Sequence, residues 1–226
     1  MIAPVPDPEV VRAANRDELY RLGLPVPPAN FPLVWEPGDK VTLRPRTELE
    51  ARAAVLNVVL ARCFGMSSQR AMSWLLDAHL LDRLTPPEWR FVASGEGDEQ
   101  TFLLHTEAVA ALAWLLSMVK RLDPTAPAGE GLMPLLPDLR RDEPYRSWQS
   151  RILAAPRDPR DAAVLLDLYY CLDWSYLEAE ERQEQLPGII DSNAIGQRRW
   201  ALEWAVVLYG PVHEQPPNWE EVDLST

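Results

Sequence analysis

The chain has 226 residues and a formal net charge of −12, from 34 Asp and Glu against 22 Lys and Arg. At 47% hydrophobic residues it is too apolar to be disordered as a whole. It is too acidic to bind nucleic acid through a general phosphate-neutralising surface, and its two cysteines make no disulfide framework. Two biases remain. Only Lys40 and Lys120 are lysines, so Arg supplies nearly all the positive charge, and the 22 prolines are close to twice the usual share of about 5%.

The pattern predicts helices almost throughout. Asp7-Pro8 caps a first helix that runs to Leu22 and stops at Gly23. A proline-rich connection follows over 24–46, with Val41-Thr42-Leu43 as a very short strand. Thr47-Glu48-Leu49-Glu50 reads as a capping box, and the helix after it ends at Gly65. Ser67 or Ser68 caps the next helix, through Trp74 and Leu75 to Leu81. Thr85-Pro86-Pro87-Glu88 is a second capping box and opens a short helix that Gly95 ends. An almost wholly apolar helix is expected from Thr101 to Leu122, buried on most sides. A second proline-rich connection spans 123–144, and Tyr145 to Ala154 forms a short helix. Asp158-Pro159 caps the longest helix, to about Gln185. Asp191 or Ser192 starts the last, which ends at Gly210. Residues 211–226 are a polar tail anchored by Trp219. The expected fold is all-α: one domain over 1–226, a bundle of seven or eight helices with proline-rich extended connections.

Several blocks, in order, resemble one bacterial family. Leu22-Gly23-Leu24-Pro25-Val26 and Leu43-Arg44-Pro45-Arg46-Thr47-Glu48 resemble its N-terminal signature. Leu84-Thr85-Pro86-Pro87-Glu88-Trp89-Arg90-Phe91 resembles its "LSPEE..F" block. Glu107-Ala108 through Trp114 is similar to its central helix. Asp167-Leu168-Tyr169-Tyr170 with Trp174 is similar to "DL.YR.HW". Arg198-Arg199-Trp200-Ala201-Leu202-Glu203-Trp204 is similar to "ER..AL.WL", and Trp219 to Thr226 resembles its ending. The family is domain of unknown function 4272. The resemblance implies a small helical domain and supplies no catalytic residues. Cys171 and Asp173 stand where relatives often carry Arg and His, and Gln197 where they often carry Glu. Any chemistry those groups perform in relatives is therefore not expected in this chain.

The candidate site is a polar cluster. Asp167 sits in a strongly apolar run, so it is either half-exposed or buried with a partner. It shares a helix face with Tyr170, Cys171 and Trp174. Arg198 or Arg199 is the expected bidentate partner, and Glu107 could join them. Such a cluster reads either as a structural ion pair or as a ligand site. Nothing predicts a metal or cofactor: His79, His105 and His213 lack ligand spacing, and Cys63 and Cys171 read as small buried hydrophobes. The acids at Glu178, Glu180, Glu181 and Glu184 are expected to be solvated or matched to a partner. Trp74, Trp89, Trp114, Trp174, Trp200 and Trp204 are expected mainly in the core. Trp35, Trp148 and Trp219 either pin loops or form an aromatic binding spot.

The sequence thus says more about architecture than chemistry. The expected role is a non-enzymatic acidic interaction module, immunity-like or regulatory, that binds a basic protein. The alternative is an enzyme or small-ligand binder around Glu107, Asp167 and Arg198. DNA mimicry is a weaker third reading. No nucleic acid or membrane partner is expected. With no basic region or apolar run in Met1 to Asp7, a cytoplasmic location is expected.

Overall fold

The computed structural model describes residues 2–213 and 215–225. Among them are eight helices: α1 (Pro8–Arg21), α2 (Arg46–Cys63), α3 (Ser68–Asp77), α4 (Pro86–Ser94), α5 (Glu99–Leu115), α6 (Tyr145–Arg151), α7 (Pro159–Glu181) and α8 (Ser192–Ala205). Three short strands, β1 (Ala3–Pro4), β2 (Lys40–Leu43) and β3 (Val206–Tyr209), form one antiparallel sheet in the order β1-β2-β3. The chain is therefore mostly helical, as the pattern predicts. It divides into two compact units, one made of 1–44, 122–127 and 157–226, the other of 45–121 and 128–156. No helix among the described residues is long and apolar enough to cross a membrane.

The first unit is built around α7, which packs against α1, α8 and the sheet. A helix with neighbours on several sides must be apolar on several sides. Accordingly Leu166, Tyr169, Leu172 and Tyr176 are all fully buried. In the sheet, Val41 lies opposite both Ala3 and Leu208. The 24–46 connection is tied back by Trp35, whose indole N–H donates to the Pro6 carbonyl at 2.9 Å. At Pro187-Gly188, glycine is required. Its φ is +78°, and an added Cβ would lie 1.9 Å from the Thr125 carbonyl oxygen.

The second unit is built on the pair α2 and α5. Every residue from Leu49 to Leu60 is buried. Ala51, Ala53 and Ala54 on α2 and Ala108, Ala110, Ala111 and Ala113 on α5 are small enough for close helix approach, and Leu49, Leu56 and Leu60 fill the space between layers. Each such Leu contributes about 1.5–3 kcal/mol through removal from water. The proline-rich segment of this unit is fastened by side chains. Trp148 donates to the Leu135 carbonyl at 2.8 Å and Trp74 to that of Glu143 at 2.9 Å. Arg70 donates to the carbonyls of Leu139 and Arg140, Arg151 to those of Leu136 and Pro134, and Asn57 to that of Pro137.

Helix starts follow the sequence closely. Asp7, Ser67, Asp158 and Asp191 all cap through their side chains, and Thr85 with Glu88 completes the expected capping box. Two starts differ: α5 begins at Glu99 rather than Thr101, capped by the Asp98 side chain, and α2 begins at Arg46 after Pro45, where no side chain caps it. At α2, proline's fixed φ sets the entry, so the Thr47 box is not used.

Helix ends divide by residue type. Where Gly23 and Gly65 supply the left-handed position, the helices stop as expected. α6 stops at Arg151 rather than Ala154, with Ile152 extended after it, and three others stop early, at Asp77, Leu115 and Glu181 rather than Leu81, Leu122 and Gln185. In each of these three, a non-glycine residue takes positive φ: His79 (56°), Ser117 (58°) and Gln183 (57°). Paired bonds such as Met118 N–H to Ala113 and Ser117 N–H to Trp114 close the α5 end, the Schellman arrangement that satisfies the last carbonyls. The last helix also stops early, at Ala205, because Val206-Val207-Leu208-Tyr209 pairs with β2 as a strand. The β-branched Val pair favours that state.

In the second unit, Glu88 is 2% exposed and forms an ion pair with Arg52. Burial alone would raise its carboxyl. The Arg52 charge and hydrogen bond and the Thr85 N–H outweigh that and hold it below the usual carboxylate range. A depressed carboxylate contributes stability above its unfolded value and loses it as pH falls. The urea midpoint should therefore decline as pH drops below about 4.5. Glu88→Gln should lower the neutral-pH midpoint and flatten that acid limb, as read from urea titrations at several pH values.

Candidate functional site

Asp167, on α7, is 2% exposed. It meets Arg12 of α1 through a fork: Nη2 to Oδ1 at 2.7 Å and Nε to both carboxylate oxygens at 3.2 Å. Asn15 adds an N–H bond at 2.8 Å. The remaining Arg12 donors reach the carbonyls of Phe31 and Pro32 at 3.1 and 2.8 Å. The guanidinium also lies 5.4 Å from the Phe31 ring centre and 5.8 Å from that of Tyr170. The expected partner, Arg198 or Arg199, is thus replaced by Arg12.

The reason is helical phase. Asp167 faces α1, whereas Asp173, six residues on, is turned by about 120° at 3.6 residues per turn. There Arg199 of α8 bonds Asp173 at 2.7 Å, Glu203 at 3.3 Å and the Leu224 carbonyl at 3.0 Å. Its guanidinium stacks 4.6 Å from the Tyr170 ring. Burial pushes both the Asp173 and Glu203 carboxyls up, although Arg199 opposes this. Arg198 turns elsewhere again, donating to the Tyr169 hydroxyl at 3.0 Å and to the carbonyls of Asp123 and Ala126. Trp174 is half-buried beside Phe31, with ring centres 5.9 Å apart.

Glu107 belongs to the second unit. It is 7% exposed and accepts the Ala128 N–H at 2.8 Å. Of the acids near the end of α7, Glu178 pairs with Arg182, and Glu180 accepts both the N–H and hydroxyl of Ser192 at the start of α8. Glu180 therefore serves the next helix, since orphan N–H groups there need an acceptor.

Other chemistry is quickly bounded. Burial pushes the Cys63 thiol up to about 11 and the Cys171 thiol up to about 12, so neither is a thiolate nucleophile at neutral pH. Among the described residues no group of three His, Cys, Asp or Glu could hold a metal ion. Trp35, Trp148 and Trp219 are buried loop pins, and Trp219 also packs against Trp200 and Trp204, with ring centres 6.2 and 5.3 Å away.

Two features are not foreseen by the sequence pattern. One is Arg12 with Asn15. Their spacing from buried Leu19 puts them on the inward stripe of α1, and a cation on such a stripe implies a buried acid. The other is a cleft of about 820 Å³ in the second unit, lined by residues from α3, α6 and the turn around Asp142. Nothing local in the sequence marks it, because the helix pattern there runs on past His79 to Leu81.

A family model described as "Domain of unknown function (DUF4272)" matches residues 12–222. The chain belongs to that family. Comparison with curated proteins and with solved structures gives no match.

The Asp167 geometry has a measurable consequence. Asp167→Asn removes a charge that Arg12 needs in a buried setting, and breaking such a pair costs about 3–5 kcal/mol. Urea denaturation should show a loss of that order. A loss under about 1 kcal/mol, the scale of an exposed pair, would mean that the pair is not buried in solution.

Proposed function

We propose that this member of the DUF4272 family is a non-enzymatic binding module that captures a basic protein through its first unit. The observation that carries the reading is how unevenly charge is shared. The segments 1–44, 122–127 and 157–226 hold 21 acidic residues and 10 Lys or Arg, a net of −11. The other segments hold 13 and 12, a net of −1. Nearly all the excess charge thus belongs to one unit. Three of that unit's arginines, Arg12, Arg198 and Arg199, are buried and spent on internal partners. Exposed acids include Glu9, Asp17, Glu181, Glu184 and Glu220. Complementary charge speeds encounter and excludes wrong partners.

The alternative of a catalytic pocket around Glu107, Asp167 and Arg198 draws less support. Asp167 and Arg198 are buried with their polar atoms engaged, and general acid–base work needs a group open to substrate. A bacterial, cytoplasmic setting and an immunity-like or regulatory role are part of the proposal.

A pull-down from the native host at rising salt tests it. The combined variant Glu9→Gln, Asp17→Asn, Glu181→Gln, Glu184→Gln and Glu220→Gln should lose the captured basic protein. A control set in the second unit, Asp82→Asn, Glu96→Gln and Glu130→Gln, should retain it. Capture by the wild type should weaken steeply across the salt range in which the Debye length falls to a few ångströms, about 1 M. Equal capture by both variants would overturn the proposal.

A further inference from the structure

The cleft of the second unit supports an inference independent of the acidic surface. We propose that it binds a small aromatic zwitterion: a free aromatic amino acid, or a short peptide that begins with one.

Part of the lining is aromatic. Trp74 and Tyr145 line the cleft, with ring centres 6.2 Å apart and planes at 82°. The Trp74 N–H is already spent on the Glu143 carbonyl at 2.9 Å, so this residue offers its ring rather than a donor. Two of the four formal charges on the wall cancel: Arg70 and Asp142 form an ion pair at 2.9 Å. Arg70 is further held by the Leu139 and Arg140 carbonyls.

Two charges on the wall are left, and they are of opposite sign. Arg146 and Asp77 both line the cleft and are both exposed. Among the described residues neither side chain forms an ion pair or hydrogen bond. A ligand with one carboxylate and one ammonium satisfies both. A simple anion would leave Asp77 opposed, and a simple cation would leave Arg146 opposed. A guanidinium is well suited to a carboxylate because it can bond both oxygens at once.

His79 adds a polar group to the same wall and holds a backbone conformation, φ 56°, that glycine adopts at lower cost. Replacing it by glycine should therefore help the fold and harm the site. The cavity of about 820 Å³ lies in the usual range for small-molecule sites, about 300–1,000 Å³. That space accommodates a dipeptide as well as an amino acid.

Isothermal titration of the full chain with L-phenylalanine and with L-phenylalanylglycine tests the assignment. Three truncated probes accompany them: L-alanine lacks the ring, phenylacetate the ammonium, and phenethylamine the carboxylate. At least one zwitterion should bind, and each truncated probe should bind about tenfold more weakly or worse. Tighter binding of the free amino acid identifies that source, and tighter binding of the dipeptide identifies a peptide end. Arg146→Gln and Asp77→Asn should each weaken binding about tenfold without lowering Tm. His79→Gly should weaken binding while raising Tm by about 2–4 °C. The proposal is overturned if neither zwitterion binds at about 10 mM, a regime weaker than any specific site. It is equally overturned if phenylacetate matches L-phenylalanine, or if none of the three variants changes affinity.

Discussion

The structure depends on giving donors to the carbonyls of its proline-rich segments. Each proline brings a carbonyl and no N–H, so a strap rich in proline cannot satisfy itself. A buried acceptor left unmet costs about 1–3 kcal/mol. Here side chains make up the shortfall. Arg198 reaches the Asp123 and Ala126 carbonyls, and Tyr176 reaches Pro124. Arg12 reaches Phe31 and Pro32, and Arg44 reaches Pro217 in the tail. Arg46 reaches Ile152 and Ala154. Trp35, Trp148 and Trp200 each donate an indole N–H to a loop carbonyl. This accounts for both compositional biases and for the placing of the tryptophans. Proline stiffens the straps, Arg spans two acceptors with one planar fork where Lys offers a point charge, and Trp combines a large buried surface with a single donor.

The same demand decides how the polar residues should be read. Carboxylates in apolar runs, paired with arginines and ringed by Tyr and Trp, resemble an active site in composition. Once placed, Asp167 and Asp173 each complete a guanidinium whose other donors hold a strap or the tail. They fix which helix face meets which neighbour. With those arginines turned inward, the exposed charge of the first unit is more acidic than its Arg content suggests. In the second unit, the side chains of Arg146, Asp77 and His79, unpaired among the described residues, stand out because they line one cleft.

Sequence reading succeeded where one residue's chemistry is decisive. Asp7, Thr85 with Glu88, Asp158 and Asp191 start helices because a short polar side chain at that position meets orphan N–H groups. Gly23 and Gly65 stop helices because glycine bears positive φ without strain. Reading failed where tertiary packing overrides local preference. Ser117, His79 and Gln183 take the left-handed position without glycine, and nothing local marks them. Val206 to Tyr209 continues an apolar helical pattern but finds β2 alongside. For the candidate site, the need of Asp167 for a guanidinium was legible; its choice was not. That choice rests on a turn of about 120° between Asp167 and Asp173, which sends one acid to α1 and the other to α8.

The most direct measurement is the urea stability of Arg198→Lys. This substitution keeps the charge at a site 1% exposed and removes the fork that spans the carbonyls of Asp123 and Ala126, together with its bond to the Tyr169 hydroxyl. If side-chain donors to the straps hold the fold, the variant should lose about 2 kcal/mol or more, the worth of one to two charged hydrogen bonds. A loss within about 0.5 kcal/mol, the range of an ordinary surface change, would contradict the account.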